Sequence, residues 1–535
     1  MKRNAIILAA GKSNRFAPFT YEKPKGLFRV KGDILIERQI EQLREAGIID
    51  IFVVVGYMKE KFFYLEQKYP GVHLIVNNEF GKKGNLYSLY MARHVLANTY
   101  ICCADHYFSR NPFMQDNPEN VSYRACIYLK GKFREFGVSF SDADVITDVR
   151  IGGCDSLAMV GHAYMNERFS SIFRKYLESE IYDFGIASMF WEEFYAKHIR
   201  ELTFYKKEFN ESEILEFDSI EDLRAFDSEF LLNVDSEIIG NICKTLSCHP
   251  NDINEIRVIN AGLTNVSFGF NANNVRYVYR HPGGTAGNLI DRRTELFAQM
   301  AAKDAGIDKS VIRMELSGWK ISYFVSQARN CDFEESSAQL DQAMEYLHRL
   351  HAVKPDTTVK TFDNVEEGKK LMRIASATKG NLEKEFSELI EKVERLYVEI
   401  KQDAARLGYD RVLCHNDTYE PNYLYDDKGE IYLIDWEYAG LNYAANDIGC
   451  ILCRYDWSDE QIERYLKAFV GRDLTDAERR FYYGFIPISA FYWFCWGLYK
   501  GSVGDDDSFF FLPSYRNLVR FIDPALDSYG CGAGQ

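Results

Sequence analysis

The sequence predicts an α/β protein built from two different parts, and three observations lead to that prediction. Strand and helix patterns alternate through roughly the first 230 residues. A compact group of strand patterns follows between about residues 256 and 325. Mostly helical patterns then continue to the end of the chain. Alternation builds a sheet covered by helices, whereas strands followed by helices build a separate two-layer domain. We therefore predict two domains, at residues 1–232 and 233–535.

In the first part, short apolar or β-branched runs are each followed by helical spacing. Strands are predicted at residues 5–10, 51–55, 73–76 and 100–103, and helices at 34–46, 59–69 and 84–97. This rhythm is typical of a Rossmann-like, doubly wound parallel sheet, in which ligands lie beyond the carboxyl ends of the strands. Gly11, Gly56 and Asp105 all fall at those predicted ends.

The second part begins with strands and continues with helices. Strands are predicted at residues 256–259, 266–270, 275–280 and 320–325, with a helix at 291–305. Helical spacing then runs from Cys331 to Gly408, and two short strands at 412–413 and 431–434 flank two acidic turns. A small sheet lobe followed by a helical lobe is the outline of an α+β, protein-kinase-like fold.

Composition and charge exclude some classes of protein and disfavour some classes of partner. The 535 residues are 47 % hydrophobic and 27 % charged, which excludes a disordered or fibrous chain. Acidic residues exceed basic ones by 79 − 64 = 15. A net charge of −15 disfavours nucleic acid and anionic lipid as partners and suits a cationic small substrate.

The number of cysteines and the hydropathy of the chain indicate the cellular compartment in which the protein is expected. Twelve cysteines are too dilute for a disulfide scaffold, so the CxxC pair Cys450 and Cys453 is expected to be buried and reduced. No stretch approaches the ~20 apolar residues that a membrane span needs. We therefore expect a cytoplasmic protein without membrane insertion.

A loop with phosphate-binding features follows the first strand. The run GKS at 11–13 is not a Walker A motif, because Ile6 stands where that motif needs a glycine. Gly11 has no Cβ, so backbone N–H groups there can turn towards an anion. Arg15 and Lys25 add positive charge within the same loop. The loop therefore predicts a site for the phosphates of a nucleotide.

The sequence around this loop resembles the nucleotidyltransferases that act on nucleotide-sugar-type substrates, and within them the bacterial CTP:phosphocholine cytidylyltransferases. The resemblance covers roughly residues 1–230. It is carried by LAAGKSNR at 8–15, EKPK at 22–25, NLYSL at 85–89, ADHY at 104–107 and EFDS at 216–219.

The resemblance implies roles for individual residues. Lys25 and Arg15 would neutralise the triphosphate of CTP. The nucleotide itself would be held by Ala10, Gly11 and Asn85. A phosphate of the second substrate would then attack the α-phosphorus of CTP, and pyrophosphate would leave. Charge neutralisation and in-line positioning would supply most of the catalysis, because the nucleophile is already an anion.

The same resemblance implies a metal site and an amine site. Asp105 would bind Mg²⁺, and the second metal carboxylate of the family is carried over to Glu192. Phe136 and Tyr164 would contribute to an aromatic cage for a quaternary amine.

Two acidic turns in the second part have the spacing of a kinase catalytic site. His415-Asn416-Asp417 precedes Asn422 by four intervening residues, and Asp435 comes thirteen residues after Asn422. In kinases the loop aspartate accepts the hydroxyl proton of the substrate, while the asparagine and the later aspartate bind Mg²⁺. The spacing therefore predicts Asp417 as the base, with Asn422 and Asp435 as magnesium ligands.

Residues upstream of these turns are expected to bind the nucleotide. Gly262, Thr264 and Asn265 lie between two predicted strands, where a turn can cover phosphates. Arg280 ends the next strand, at the place where kinases carry a phosphate-binding cation. Glu295 on the following helix is expected to pair with Arg280, because a guanidinium suits both phosphate and carboxylate.

Residues 240–510 resemble choline kinase and the related aminoglycoside phosphotransferases. Besides the loop motifs, the resemblance is carried by YVYRHPG at 277–283, IDWEY at 434–438 and WFCW at 493–496. Trp493 and Trp496 share a helix face, and indole faces attract a trimethylammonium by about 0.5–2 kcal/mol each. The resemblance implies that these tryptophans bind choline, with Tyr455 and Asp447 as further pocket residues.

Both parts point to one pathway. The second would phosphorylate choline with ATP, and the first would couple phosphocholine to CTP, with Mg²⁺ at both sites, to give CDP-choline. Three alternatives stay open. The amine could be ethanolamine or 2-aminoethylphosphonate. The chain could join a sugar-1-phosphate nucleotidyltransferase to a sugar or aminoglycoside kinase. It could also be a nucleotide sensor without turnover.

Overall fold

The chain folds into two compact units, residues 1–254 and 255–535. The domain boundary predicted after residue 232 falls before that division. Ser236 and Ile238 both donate hydrogen bonds to Glu22, which ties the intervening segment to the first unit. The computed structural model describes residues 2–114, 121–259, 265–283, 289–504 and 508–530.

The first unit alternates strands and helices and adds a long hairpin in its second half. Its strands are β1 (Asn4–Ala9), β2 (Arg29–Val30), β3 (Asp33–Ile34), β4 (Asp50–Val55), β5 (Val72–Val76), β6 (Thr99–Cys103), β7 (His106–Phe108), β8 (Tyr123–Phe140), β9 (Ile146–Met165), β10 (Tyr205–Phe209) and β11 (Ile214–Glu216). Its helices are α1 (Leu35–Glu45), α2 (Tyr64–Lys68), α3 (Asn85–Met91), α4 (Glu167–Glu180), α5 (Phe184–Ala187), α6 (Trp191–Lys197), α7 (Ile220–Phe226), α8 (Phe230–Asn233) and α9 (Glu237–Leu246).

Seven strands of the described part of this unit form one mixed sheet, in the order β10-β8-β9-β6-β1-β4-β5. Strands β6, β1, β4 and β5 are parallel to one another, as the alternating pattern predicts. The sheet is not parallel throughout, however, because β9 runs antiparallel to β6 and β8 antiparallel to β9. The hairpin was missed although β9 ends in a buried run at 157–165, because its other half is exposed and two long adjacent strands depart from the strand–helix alternation.

Side chains of β1 alternate between the two faces of the sheet, and each face has its own helical cover. Ala5 and Ile7 belong to a core with residues of α1 and α2. Ile6 and Leu8 belong to a second core with residues of α3, α4 and α6. Because both faces are covered, the edge where the parallel strands end remains for ligands.

The second unit consists of a sheet lobe and a helical lobe. Its strands are β12 (Asn254–Ile259), β13 (Asn265–Ala272), β14 (Val275–Pro282), β15 (Val311–Met314), β16 (Lys320–Tyr323), β17 (Arg329–Asn330), β18 (Arg411–Cys414), β19 (Tyr423–Tyr425), β20 (Ile431–Leu433) and β21 (Gly440–Tyr443). Its helices are α10 (Arg292–Asp304), α11 (Ser337–His351), α12 (Asn364–Lys379), α13 (Leu382–Glu385), α14 (Ser387–Leu407), α15 (Ala445–Leu452), α16 (Asp459–Val470), α17 (Asp476–Ser502) and α18 (Ser508–Ser528).

In this unit the described strands give a five-stranded sheet in the order β12-β13-β14-β16-β15 and two small sheets, β17-β19-β20 and β18-β21. One large core joins the small sheets to helices α11 to α18. This arrangement confirms the predicted protein-kinase-like class. Cys450 and Cys453 are buried free thiols, as the composition predicts.

None of the helices in the described ranges combines the length and the apolar character that crossing a membrane requires.

Candidate active sites

A cavity lies at the carboxyl ends of β1 and β6 in the first unit. The loop after β1, the short turn at 25–27, the start of α3 and the end of β6 all contribute side chains to it. The structure thereby brings together one set of sequence-predicted residues: Ala10, Gly11, Lys25, Asn85 and Asp105.

A partly buried ion pair joins two sides of this cavity. Lys25 Nζ donates to Asp105 Oδ2 at 2.9 Å and also to the backbone carbonyl of Phe217. The Lys25 side chain is 5 % exposed. Burial opposes the charge of Asp105, but the neighbouring Lys25 and His106 outweigh it and lower the pKa of Asp105 below its ordinary value. Asp105 is therefore a carboxylate with a cation already beside it.

Close backbone approach makes this pairing possible. A Cβ at Gly26 would lie 2.9 Å from the Cβ of Ala104, closer than side-chain carbons come to each other. Glycine at position 26 therefore lets the lysine loop pass beside the end of β6.

Two charged residues in the cavity were not among those predicted. Lys83 lines it, with its ammonium 3.8 Å from the ring centroid of Tyr87. Glu216 lines it as well, and its Oε2 lies 3.3 Å from Nε2 of His106. Glu216 belongs to the EFDS segment that carried the resemblance, so a signal for it was present in the sequence. Lys83 stands in no motif, and only the fold reveals it.

Arg15 and Glu192, by contrast, are not among the residues that line this cavity. Arg15 is exposed and pairs with Asp218 at 2.6 Å. Glu192 is buried 3.4 Å from Arg124, and that burial raises its pKa, with Arg124 opposing the rise. Among the described residues, the carboxylates that line the cavity are those of Asp105 and Glu216, and carboxylate oxygen is the ligand type that Mg²⁺ prefers.

The predicted aromatic pair is not brought together. Tyr164 is 3 % exposed and packs in the core of one sheet face, with its ring centroid 4.9 Å from that of Tyr100. Phe136 packs against the core of the other face. Its ring centroid is 6.3 Å from that of Phe190, which lines the cavity. Tyr164 is therefore a core residue, while Phe136 lies one side chain away from the cavity.

The two acidic turns of the second unit lie side by side. A ring nitrogen of His415, Nε2, donates to the carbonyl of Ile434 at 2.9 Å. The backbone N–H of Ile434 donates to the carbonyl of Asn422 at 2.9 Å. These bonds tie the two turns together, so that Asp417, Asn422 and Asp435 form one group.

Asp417 is buried, and both of its carboxylate oxygens have partners. Asn422 Nδ2 donates to Asp417 Oδ2 at 3.0 Å, and NH2 of Arg454 donates to Asp417 Oδ1 at 3.0 Å. Burial raises the pKa of Asp417 to about 7, with Asp435 adding to the rise and Arg454 opposing it. Such a carboxylate suits proton acceptance near neutral pH. Asn422 uses its amide N–H on Asp417, so it would bind a cation through its amide oxygen, beside the carboxylate of Asp435.

Positive charge lies next to Asp435. Arg280 forms an ion pair with Glu295, and its NH1 lies 3.5 Å from Asp435 Oδ1. Lys320 on β16 stands directly opposite Arg280 on β14. Burial and the Arg280 charge lower the pKa of Lys320. Lys320 was missed because only strand register, and no local motif, places it beside Arg280.

The start of β13 is tied to the second acidic turn. Asn265 Nδ2 donates to Glu437 Oε2 at 2.7 Å. Gly262 and Thr264, which were predicted to cover phosphates with Asn265, lie outside the described residues.

Asp447 supports the loop that carries Asp417 and is not among the residues that line the cavity beside Trp496. It is completely buried, and its carboxylate accepts the backbone N–H groups of His415 at 3.1 Å and Asn416 at 2.7 Å. His351 Nε2 lies 2.8 Å from the same carboxylate. Asn416 has a left-handed φ of 64°, a conformation that costs energy and persists only where neighbours hold it. Asp447 thus has a supporting position in this structure, and its predicted place in the substrate pocket stays a prediction.

The two predicted tryptophans are neighbours, but their rings meet different surroundings. Their centroids lie 5.8 Å apart at 69°. Cζ of Arg454 lies 3.7 Å from the ring centroid of Trp493, so a cation of the chain itself covers that indole. Trp496 instead lines a cavity, and Tyr455 is not among the residues that line it.

The Trp496 cavity combines aromatic rings with carboxylates. Tyr438 and Tyr492 add ring surface beside Trp496, and the hydroxyl of Tyr438 accepts the indole N–H of Trp496 at 3.0 Å. Glu367 and Glu437 add carboxylates to the same lining. Lys360 and Lys370 line it as well, and Lys370 pairs with Glu367 at 3.4 Å. The aromatic rings are the part of this lining that suits a small ammonium group.

Two family models match separate parts of the chain. A MobA-like NTP transferase domain matches residues 5–130, and the phosphotransferase enzyme family matches residues 325–485. These matches confirm the order of the two domain families inferred from the sequence.

Three curated proteins are similar to this chain. The 2-aminoethylphosphonate cytidylyltransferase of Lancefieldella rimae is 36 % identical over 235 residues, which cover 43 % of this chain and 94 % of that protein. The choline-phosphate cytidylyltransferase of Streptococcus pneumoniae is 36 % identical over 234 residues, which cover 43 % of this chain and 98 % of that protein. Ethanolamine kinase 2 of Rattus norvegicus is 33 % identical over 151 residues, covering 24 % of this chain and 39 % of that protein.

Replacing Asp447 with alanine is expected to destabilise the second unit. The change leaves the buried N–H groups of His415 and Asn416 without their acceptor, and each such group costs about 1–3 kcal/mol. The midpoint of urea unfolding should therefore fall. Asp447→Asn keeps one acceptor oxygen and should lose less. Unchanged unfolding combined with a raised KM for the amine would instead return Asp447 to the substrate pocket.

Proposed function

Because the chain belongs to the cytidylyltransferases through its first unit and carries a phosphotransferase-family domain in its second, we propose that it is a bifunctional enzyme that makes CDP-choline. The second unit phosphorylates choline with ATP, and the first unit transfers CMP from CTP to phosphocholine. One observation carries the proposal: each unit gathers its own set of groups for phosphorus chemistry. Lys25 and Asp105 form one set, and Asp417, Asn422 and Asp435 form the other.

In the proposed transfer, a phosphate oxygen of phosphocholine attacks the α-phosphorus of CTP. The bond from that phosphorus to the bridging oxygen breaks, and pyrophosphate leaves. An anionic nucleophile needs no base, so Lys25 and Lys83 contribute by neutralising and orienting the phosphates. Asp105 and Glu216 fit Mg²⁺, which when bound would neutralise further phosphate charge.

In the proposed kinase step, Asp417 accepts the proton of the choline hydroxyl. The hydroxyl oxygen of choline attacks the γ-phosphorus of ATP, the bond from that phosphorus to the bridging oxygen breaks, and ADP leaves. Arg280 and Lys320 supply positive charge beside the phosphates. The amide oxygen of Asn422 and the carboxylate of Asp435 fit Mg²⁺, which when bound would shield the phosphate oxygens.

The Trp496 cavity supports an amino alcohol as the kinase substrate. Its rings attract a quaternary ammonium by about 0.5–2 kcal/mol each. Ethanolamine is the second candidate, because Glu367 and Glu437 also offer hydrogen-bond acceptors to a primary ammonium. For the transferase, 2-aminoethylphosphonate is a candidate through the similarity to the Lancefieldella rimae enzyme.

The direct test is an assay of the purified chain with ATP, CTP, Mg²⁺ and choline, followed by ³¹P NMR. CDP-choline and pyrophosphate are the expected products. Parallel reactions with ethanolamine and with 2-aminoethylphosphonate show which of the three amines gives the highest rate of product formation. The proposal fails if no cytidine diphosphate product appears with any of them.

Two substitutions should separate the activities. Asp417→Asn keeps the shape of the side chain but removes the proton acceptor, so kinase turnover should fall about 10²–10⁴-fold. Transfer of CMP to supplied phosphocholine should persist. Asp105→Asn should do the reverse, because it removes a carboxylate from the first cavity. Rates of ADP formation and of pyrophosphate release measure the two activities on the same sample. Loss of both activities from either folded variant would contradict the assignment of one site to each unit.

Trp496→Leu should weaken amine binding. It removes one ring face from the cavity, and that face is worth about 0.5–2 kcal/mol, or a roughly 2- to 30-fold rise in the KM for choline. Phe494→Leu is the matched control, because Phe494 lies on the same helix but packs against Phe386 and Phe511. A choline KM that is equal in the two variants would remove Trp496 from the amine site.

A further inference from the structure

Arg454 lies between the proposed base and the indole of Trp493. Its NH2 is 3.0 Å from Asp417 Oδ1, and its Cζ is 3.7 Å from the ring centroid of Trp493. Tyr419 adds a second ring, with its centroid 4.7 Å from the same Cζ. Arg454 is 6 % exposed and Trp493 is 2 % exposed. One guanidinium is thus held by a carboxylate and two aromatic rings, away from water.

This placement has two physical consequences. A guanidinium stacked on an indole is planar and orients its N–H donors, so it fixes the position of the carboxylate to which it donates. A second cation near the same ring would meet the Arg454 charge in a buried environment, where like charges repel strongly. The ammonium of a substrate therefore does not share this face of Trp493 with Arg454.

Both carboxylate oxygens of Asp417 accept hydrogen bonds. Arg454 holds Oδ1, and Nδ2 of Asn422 holds Oδ2 at 3.0 Å. With both oxygens held, the carboxylate cannot rotate freely about its bond to Cβ. A fixed orientation is what a proton acceptor needs when the hydroxyl must attack in line.

We propose that Arg454 is a positioning residue for Asp417, that Trp493 is the support on which Arg454 rests, and that the substrate amine is recognised on the Trp496 side instead. The proposal rests on the proposed kinase function and assigns the two neighbouring tryptophans different roles. Trp493 acts through Arg454 on turnover, whereas Trp496 acts on substrate affinity.

The test compares the kinetics of Arg454→Met, Arg454→Lys and Trp493→Leu in the full chain. Arg454→Met should lower kcat for choline phosphorylation about 10- to 100-fold and leave the KM values for choline and ATP unchanged. Arg454→Lys keeps the charge and should recover part of that loss. Trp493→Leu should lower kcat in the same way. The double variant Arg454→Met/Trp493→Leu should lose less than the product of the two single losses, because both act on one carboxylate.

The chain offers a control for loss of an arginine–aspartate pair in which the aspartate is buried and the arginine side chain is 31 % exposed. Arg480 pairs with Asp403 at 2.9 Å, and its Cζ lies 4.9 Å from the ring centroid of Tyr529. Arg480→Met removes the same kind of ion pair and ring contact outside the catalytic loop. It should lower the melting temperature and leave kcat unchanged. Pyrophosphate release from CTP and phosphocholine reports on the first unit in every variant.

Three results would overturn the proposal. The first is an Arg454→Met variant that keeps full kcat. The second is an Arg454→Met variant with a lowered KM for choline. The third is a Trp493→Leu variant with a raised KM for choline at constant kcat. The second result would make Arg454 a competitor of the amine, and the third would return Trp493 to the amine site. Failure of the proposed function is a separate observation, namely a wild-type chain that phosphorylates no amino alcohol. In that case hydrolysis of ATP to ADP and phosphate is the readout, which Arg454→Met must lower and Arg480→Met must not.

Discussion

A buried carboxylate keeps its charge only beside a cation or several hydrogen-bond donors, and both candidate sites are built under that constraint. In the first unit Lys25 lies against Asp105 at the end of a buried strand. In the second unit Arg454 and Asn422 hold Asp417. The chain therefore holds Asp105 and Asp417 in fixed orientations through its own cations and amide donors. Donors that are already in place need little rearrangement when phosphate charge develops, which is the source of electrostatic catalysis.

The same constraint explains why the catalytic loop of the second unit needs support from outside itself. Asn416 and Asp435 both have left-handed backbones, with φ of 64° and 68°. The Asp447 carboxylate holds one of these turns through two backbone N–H groups, and the His415 ring holds the turns to each other. Strain of this kind persists where the surroundings over-determine it. Asp447 thus holds the backbone that positions Asp417, so the shape of this loop depends on an acid outside it.

Local features of the sequence could predict the strand ends and the acidic turns, because these depend on residues close together in the chain. The spacing of Asp417, Asn422 and Asp435 is of this kind. Other groups depend on contacts between distant segments. Arg454 reaches Asp417 across 37 positions, and Arg15 reaches Asp218 across 203. Residue type was equally uninformative for aromatic rings: Tyr164 has the chemistry of a cage residue, and only its burial assigns it to the core.

Under the proposed function, the kinase site binds choline, which is a cation, and the transferase site binds phosphocholine, which also carries a phosphate. The residues that line the two cavities differ. For the choline cation, the Trp496 cavity offers aromatic rings together with Glu367 and Glu437, although Lys360 and Lys370 line it too. Phosphocholine and CTP bring phosphates, and the first cavity offers Lys25 and Lys83. A chain with net charge −15 repels phosphates at long range, although salt screens that repulsion beyond about 10 Å. Under the proposed function, the transferase site must therefore attract its substrates through cations in direct contact with them. For this site the position of Lys25 beside Asp105 says more about phosphate binding than the net charge of the whole protein does.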